Sequence, residues 1–404
     1  MSVPPPIQTL DDILRVHAGW SPDRIALQYG DGDAIREMTY AELHGRVQGF
    51  AAMLESRGIR PRGRVAILMP NGPEWVTVYF AILALGAVAV PLEHDFLEIA
   101  PDLIAFALDH AEARVVVVAP EDAEAARPHA ARSHTDMLPF QGDCAEGEPS
   151  AAPTLEPDDV AQILYTSGTT GRKKGVVLTH GNILSNVRAS CERFGVRSND
   201  CLPALLPYHH AYPLTVTVVL PLYAGARMAV GDVRDRRVAQ FLRRVRPTVL
   251  AGVPRVFEAL LSGVESAAKR EGSLDKLQRA EAVCGGVKRW TGLNVAPLLL
   301  RKLYRKMFGG TQLRFCMSGG ARLPREVALR YLRLGIPLLQ GWGMTELSPV
   351  GTVQPWSALR FHFTRHYEQR AGSIGTALPG TTIRLADVPE QDVFVERDGR
   401  GEML

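Results

Sequence analysis

The chain has 404 residues, 46% hydrophobic and 22% charged, proportions of a soluble globular protein that exclude disordered, collagen-like and disulfide-scaffold classes. Its 46 Lys and Arg against 43 Asp and Glu leave a formal charge of +3, too small an excess for a dedicated nucleic-acid binder. Five cysteines, Cys144, Cys191, Cys201, Cys284 and Cys316, stand apart with no C-x-x-C pair, so neither a disulfide framework nor a zinc site is expected and a reducing cytosol fits best. The opening residues lack the basic-then-apolar order of an export signal.

In chain order, a helix is expected over 40–58, a strand over 64–69, an apolar helix from Trp75, a helix over 97–110 and a strand over 113–119. Such alternation predicts a mostly parallel sheet covered on both faces. Trp75 to Leu92 contains 18 residues without a charge, the lower limit for a spanning helix. Gly86 and the alternating AVAVPL instead read as a buried helix, a turn and a short strand closed by Pro91. Residues 120–160, rich in Ala, Pro, Asp and Glu, read as an exposed connection. A second α/β run follows, with strands near 162–165, 202–206, 248–252 and 314–317. Beyond Pro349 short strands, over 382–385 and 393–396, suggest a small β subdomain. The expected divisions are 1–160, 161–349 and 350–404, giving an α/β fold of two mostly parallel sheets with helices and a small β unit.

The most informative segment is Ile163 to Gly175, ILYTSGTTGRKKG. An apolar strand enters a loop in which Thr166, Ser167, Thr169 and Thr170 alternate with Gly168 and Gly171, with Lys173 and Lys174 behind. Glycines permit close backbone approach, converging N–H groups bind an anion, and hydroxyls plus lysine complete a polyphosphate cradle. Neither the Walker A spacing nor G-x-G-x-x-G fits these residues.

YTSGTTGRKKG resembles the signature Y-T-S-G-T-T-G-x-P-K-G of the adenylate-forming superfamily, which includes acyl-CoA synthetases, amino-acid adenylation domains and beetle luciferases. It departs at Lys173, where proline is usual. Other landmarks of that family follow in order. LPYHHAYPL places His210 where an imidazole lines the carboxylate and acyl pocket, although a lone His in an apolar run also suits a core. GVPRVFEAL resembles the long-chain acyl-CoA synthetase version of its region, with Pro254 suited to a helix start. MSGGARLP contributes Gly319, Gly320 and Ala321 to the adenine side. QGWGMTE resembles the Y-G-x-T-E element, implying Gln340, Gly341 and Trp342 around adenine, Thr345 toward the α-phosphate and Glu346 as a ligand for Mg²⁺. GSIGTALPGTTIRLAD resembles the stretch before the small β subdomain.

The resemblance covers Thr39 to the last residue and implies ATP-dependent activation of a fatty acid to an acyl-adenylate, with coenzyme A as co-substrate. In this family a Tyr-Arg-Thr-Gly-Asp element and a mobile C-terminal domain carrying a catalytic lysine come after the point reached by Gly-Glu-Met-Leu. The expectation is therefore an N-terminal domain without its lid, binding ATP and acyl-adenylate with little or no turnover. An acyl-AMP ligase serving a carrier protein and a non-catalytic nucleotide-binding module remain alternatives. Finally, PLLLRKLYRKMF, residues 297–308, sets Leu299, Leu300, Leu303, Tyr304, Met307 and Phe308 on one helical arc and four basic residues on the other. It could lie on an anionic membrane surface, making the protein cytoplasmic with a peripheral membrane contact, or pack on the sheet as an outer helix.

Overall fold

The computed structural model describes residues 5–31, 34–142, 147–150, 153–166, 173–235, 237–291, 293–354, 371–388, 395 and 402–403. Its strands are β1 (Ile25–Asp31), β2 (Ala34–Thr39), β3 (Arg64–Leu68), β4 (Val88–Pro91), β5 (Val115–Val118), β6 (Asp136–Pro139), β7 (Val160–Thr166), β8 (Lys174–Thr179), β9 (Cys201–Ala204), β10 (Arg227–Val230), β11 (Val249–Gly252), β12 (Phe315–Ser318), β13 (Leu338–Gly343), β14 (Val350–Val353) and β15 (Thr376–Ala377). They form a six-stranded sheet in the order β6-β5-β3-β4-β7-β8, a five-stranded sheet β11-β12-β13-β14-β15 and a four-stranded sheet β2-β1-β10-β9. In the first, only the β7–β8 pairing is antiparallel. In the second, β11, β12 and β13 run parallel and β14 and β15 turn back.

The α/β class with mixed, mostly parallel sheets follows from runs such as the all-valine β5, buried at every position because helices cover both faces. The segment tested for a membrane span is the buried helix Pro73–Ala84, a turn at Gly86 and β4. None of the helices, among the described residues, is long and apolar enough to cross a membrane. Ahead of it, Thr39 and Glu42 cap the helix Tyr40–Ser56 reciprocally, the Glu42 amide donating to Thr39 Oγ1 over 3.1 Å and the Thr39 amide to Glu42 Oε2 over 2.7 Å.

Three features differ from expectation. Residues 120–160 are not a bare connection, for they contain the helix Ala123–Arg132 and strand β6, with Ala126, Ala130, Leu138 and Phe140 buried. The sheets also interleave along the chain. β7 and β8, beyond residue 160, complete the sheet begun by β3, while β1 joins β10 in a third sheet. Lastly, residues 297–308 do not make one helix. Ala296–Leu299 and Arg301–Phe308 meet at Leu300, and Leu300, Tyr304, Met307 and Phe308 all point into the core.

Candidate active site

The phosphate-loop motif falls at a hairpin. β7 and β8 pair with Thr166 opposite Lys174, which fixes where residues 167–172 leave and rejoin the sheet. Ser167, Gly168, Thr169, Thr170 and Gly171 lie outside the described residues. Lys174 opens β8 with its side chain exposed. β8 runs directly into the helix His180–Phe194, whose N-cap Thr179 accepts from the Asn182 amide over 3.1 Å. Two turns along this helix the buried Asn186 reaches another element. Its Nδ2 donates to the carbonyls of Leu347 at 3.0 Å and Val350 at 2.8 Å, and its Oδ1 accepts from the Val350 amide at 3.4 Å. The phosphate hairpin is thereby tied to the turn carrying Thr345 and Glu346.

That turn, Thr345–Leu347, joins β13 to β14. The approach is so close that a Cβ on Gly343 would lie 1.8 Å from the Pro349 carbonyl oxygen. Only glycine fits. On the neighbouring strand, β12 ends at Ser318, whose buried hydroxyl has no hydrogen-bond partner among the described residues and faces the cleft. Gly320 needs its residue type for a φ of +75°. Gly319 is required for a different neighbour than adenine, because a Cβ there would meet the Tyr212 ring at 2.9 Å. Tyr212 is itself held by its hydroxyl, which donates to the Met317 carbonyl over 3.2 Å.

The third wall is the segment following β9. Asn71, three residues beyond β3, clamps it: Nδ2 donates to the Leu206 carbonyl at 2.8 Å, and Oδ1 accepts from the Tyr208 amide at 3.1 Å. The buried Tyr208 ring packs edge-on to Trp75, 5.2 Å between centroids. Two histidines follow with different surroundings. His210 opens onto the cleft; the protein crowding it, and then the charge of Lys173, lower its pKa. His209 points away, Nε2 lying 4.0 Å from Glu93 Oε2, and burial, reinforced by His210, pushes its pKa down to about 3. Glu93 is raised by burial, against the pull of Lys173. Lys173 itself sits over the Phe96 ring at 5.1 Å, an attraction between ammonium and ring quadrupole.

These walls enclose a cavity of about 520 Å³ lined by His210, Gly319, Gly320, Gly341, Trp342 and Thr345 among the residues singled out from sequence. A second chamber of about 390 Å³ holds Thr166, Lys173, Glu93 and His209. The two share His210, Ala211 and Thr345. Glu346 stands exposed on the turn beside β8. Ala321 is exposed and Gln340 is buried in the sheet, and neither lines the cavity. Sequence reading missed Asn71, Asn186, Tyr212 and Ser318. A signal existed for Asn186 alone, an amide standing between buried Ile183, Leu184 and Val187 on one helix.

A magnesium ion brought in on triphosphate oxygens keeps its waters and takes only one or two protein carboxylates. The exposed Glu346 on a turn packed against the phosphate hairpin fits that role without any further acidic residue.

The AMP-binding enzyme family model matches residues 14–404. The chain belongs to that family, the AMP-binding enzymes. It is 31% identical over 370 residues to a feruloyl-CoA synthase of an Amycolatopsis species, covering 91% of this chain and 64% of that one. With a peroxisomal long chain acyl-CoA synthetase 7 of Arabidopsis thaliana the identity is 28% over 391 residues, covering 88% and 53%. The chain thus spans between half and two-thirds of these relatives' lengths. Among solved structures, the inhibitor-bound N-terminal domain of FACL13 from Mycobacterium tuberculosis shares the fold with a TM-score of 0.73 at 23% identity, covering 95% of this chain and 85% of that one. An anthranilate CoA ligase AuaEII with anthranoyl-AMP gives 0.74 at 20% identity, covering 95% and 66%.

Proposed function

We propose that the cleft binds ATP and a carboxylic acid and joins them as an acyl-adenylate, releasing pyrophosphate, with coenzyme A as the eventual acceptor. The acid in this reading is a medium- or long-chain fatty acid. The observation that carries it is the lining of the 520 Å³ cavity, which includes Phe194, Val216, Val253, Met317, Val350 and Val353 and, among the described residues, no Asp, Glu, Lys or Arg. An amino acid would bring an ammonium group with no carboxylate to meet it. An alkyl chain needs none.

In the reaction the carboxylate oxygen attacks the α-phosphorus, the bond to the bridging oxygen breaks, and pyrophosphate departs with that electron pair. Two anions must approach, so charge has to be neutralised before proximity helps. Lys173 and Lys174 stand at the rejoining end of the phosphate segment for that task. The Thr345 hydroxyl, where the two chambers meet, is placed to donate to an α-phosphate oxygen as charge builds there. His210, held neutral by its surroundings, can donate one hydrogen bond to the incoming carboxylate without competing for a proton. Magnesium, when bound with the nucleotide at Glu346, would supply Lewis-acid neutralisation of the phosphates. Residues 1–404 alone, on this reading, bind ATP and the acid and turn over slowly.

ATP–pyrophosphate exchange across fatty, aryl and amino acids tests the proposal. Exchange strongest with fatty acids and lost in Glu346→Gln is expected. Exchange confined to aryl acids such as ferulate overturns the substrate assignment, and ATP binding without exchange for any acid overturns the reaction.

A further inference from the structure

From Ala282 to Arg325 the sequence contains nine Lys and Arg and no Asp or Glu, within a chain whose whole excess is +3. Part of this stretch enters the five-stranded sheet as β12, and Arg314 and Lys306 pair with Asp200 and Glu271; residues 290–305 instead form an outer corner with large apolar side chains turned outward. Trp290 is 83% exposed, Leu293 63%, Leu298 76% and Leu299 54%. Val283, seven residues before Trp290 on the helix Leu274–Thr291, shares its face and is also exposed.

The corner is a built turn. The Leu293 amide donates to Thr291 Oγ1 at 3.1 Å, and the Ala296 amide to Asn294 Oδ1 at 3.3 Å. Asn294 Nδ2 anchors the turn to the Gly335 carbonyl at 2.8 Å, and the Leu298 and Leu299 amides both bond the Val295 carbonyl. With these bonds holding the turn, the outward leucines are a consequence of defined geometry. Exposed Arg301, Lys302 and Arg305 flank them, while Tyr304, Met307 and Phe308 face the core. Behind Trp290 opens a cleft of about 740 Å³ whose walls include Lys288, Arg325 and Arg333 together with one acid, Glu281.

An apolar apex containing a tryptophan, ringed by cations and free of acidic residues in sequence, is complementary to the boundary between lipid headgroups and acyl chains of an anionic bilayer. A nucleic acid or an acidic protein would account for the cations and leave the leucines without a partner. We propose that this corner docks the protein on an anionic phospholipid surface, with Trp290, Leu293, Leu298 and Leu299 inserted and Arg301, Lys302 and Arg305 against lipid phosphates. The apolar arc of residues 300–308 takes no part, being folded inward. The inference is independent of which acid the cleft activates.

The test uses the 404-residue chain and vesicles of phosphatidylcholine with and without phosphatidylglycerol. Co-sedimentation with the anionic vesicles only, weakening as salt is raised, is expected. Two triple variants, Leu293→Ser/Leu298→Ser/Leu299→Ser and Arg301→Glu/Lys302→Glu/Arg305→Glu, should each lower the bound fraction at least about tenfold. Their far-UV spectra and melting temperatures should match the parent, since every substituted side chain is exposed. A blue shift of tryptophan emission on binding should vanish in Trp290→Phe. The proposal is overturned if the chain ignores anionic vesicles or if both triple variants bind as the parent does. It is equally overturned if RNA or polyglutamate is retained as well as vesicles and survives loss of the leucines.

Discussion

The two sides of the cleft solve different problems. On the β12–β14 side the residues are close-packed backbone and small side chains, with Gly343 against Pro349, Gly319 against Tyr212 and Asn186 bridging to Leu347 and Val350. Close backbone approach sets the shape there. On the β4–β7 side the groups are charged and partly open, with the Lys173 charge acting on both Glu93 and His209 across the second chamber. One wall sets geometry and the other sets potential. A site that must bring two anions together gains from separating these duties, because a rigid charged wall would have to bury its charges to stay rigid.

The contrast can be broken most severely at Gly343. Gly343→Ala must displace the Pro349 carbonyl, and a loss of at least about 3 kcal/mol in urea unfolding is expected, with exchange activity abolished. Next in size, Thr345→Val leaves the packing wall intact and removes one donor. Its exchange rate should fall by roughly 10²–10³-fold while the ATP dissociation constant stays within a few-fold. Asn186→Leu removes a buried amide and leaves the Leu347 and Val350 carbonyls without it, for about 1–3 kcal/mol in stability. A mere packing role predicts only that loss; a positioning role also lowers the turnover of the folded protein, with KM unaltered, and Asn186→Gln restoring neither would exclude simple amide chemistry.

A pH experiment sharpens the same division. Burial lowers His180 to about 4 and His209 to about 3, so both stay neutral in the folded protein while the unfolded chain takes up protons below about pH 6.5. A depressed histidine pKa makes stability greatest above that value and declining as pH falls. Between pH 6.5 and 5 each group should withdraw about 1.5 kcal/mol, seen as a falling melting temperature. His180→Gln should flatten the slope if its fold survives the loss of the Leu10 amide bond. The smallest effect belongs to Lys173→Pro. Its side chain contributes a cation–ring contact and a screened charge, and stability should change by less than about 1 kcal/mol. The larger readout is the pKa of His210, which should rise once the ammonium is gone.

Legibility in the sequence followed the same line between pattern and partnership. β3, β4 and β5 could be placed to within a residue or two because strands buried on both faces read as unbroken apolar runs. The helix Ala123–Arg132 escaped because it is Ala-rich, encloses Pro128 and buries only Ala126 and Ala130, so its apolar stripe is nearly invisible. The third sheet escaped for another reason. Nothing in Ile25–Asp31 names Arg227–Val230 as its neighbour, since periodicity states how a strand is buried and never against what. At the cleft, the glycine and hydroxyl run stood out by its residue types, while Trp342, Thr345 and Glu346 were reached through the family resemblance of QGWGMTE. Asn71 and Asn186 are single amides whose partners, the Leu206 carbonyl and Tyr208 amide for one and the Leu347 and Val350 carbonyls for the other, lie far away in sequence. Leu300, which ends one helix and starts the next, turned an amphipathic stretch into a buried face and moved the exposed apolar surface to residues 290–299.

The pairing of β1 with β10 also sets a timetable. Their registered residues, Leu27 and Met228 among them, are separated by about 200 positions. Translation at roughly 5–20 residues per second delivers the later strand about 10–40 s after the first. For that interval an apolar strand waits on the ribosome's outer face with its natural neighbour unmade. β2, which follows at once and pairs antiparallel along its length, covers one edge early and leaves a single edge to be guarded until β10 arrives.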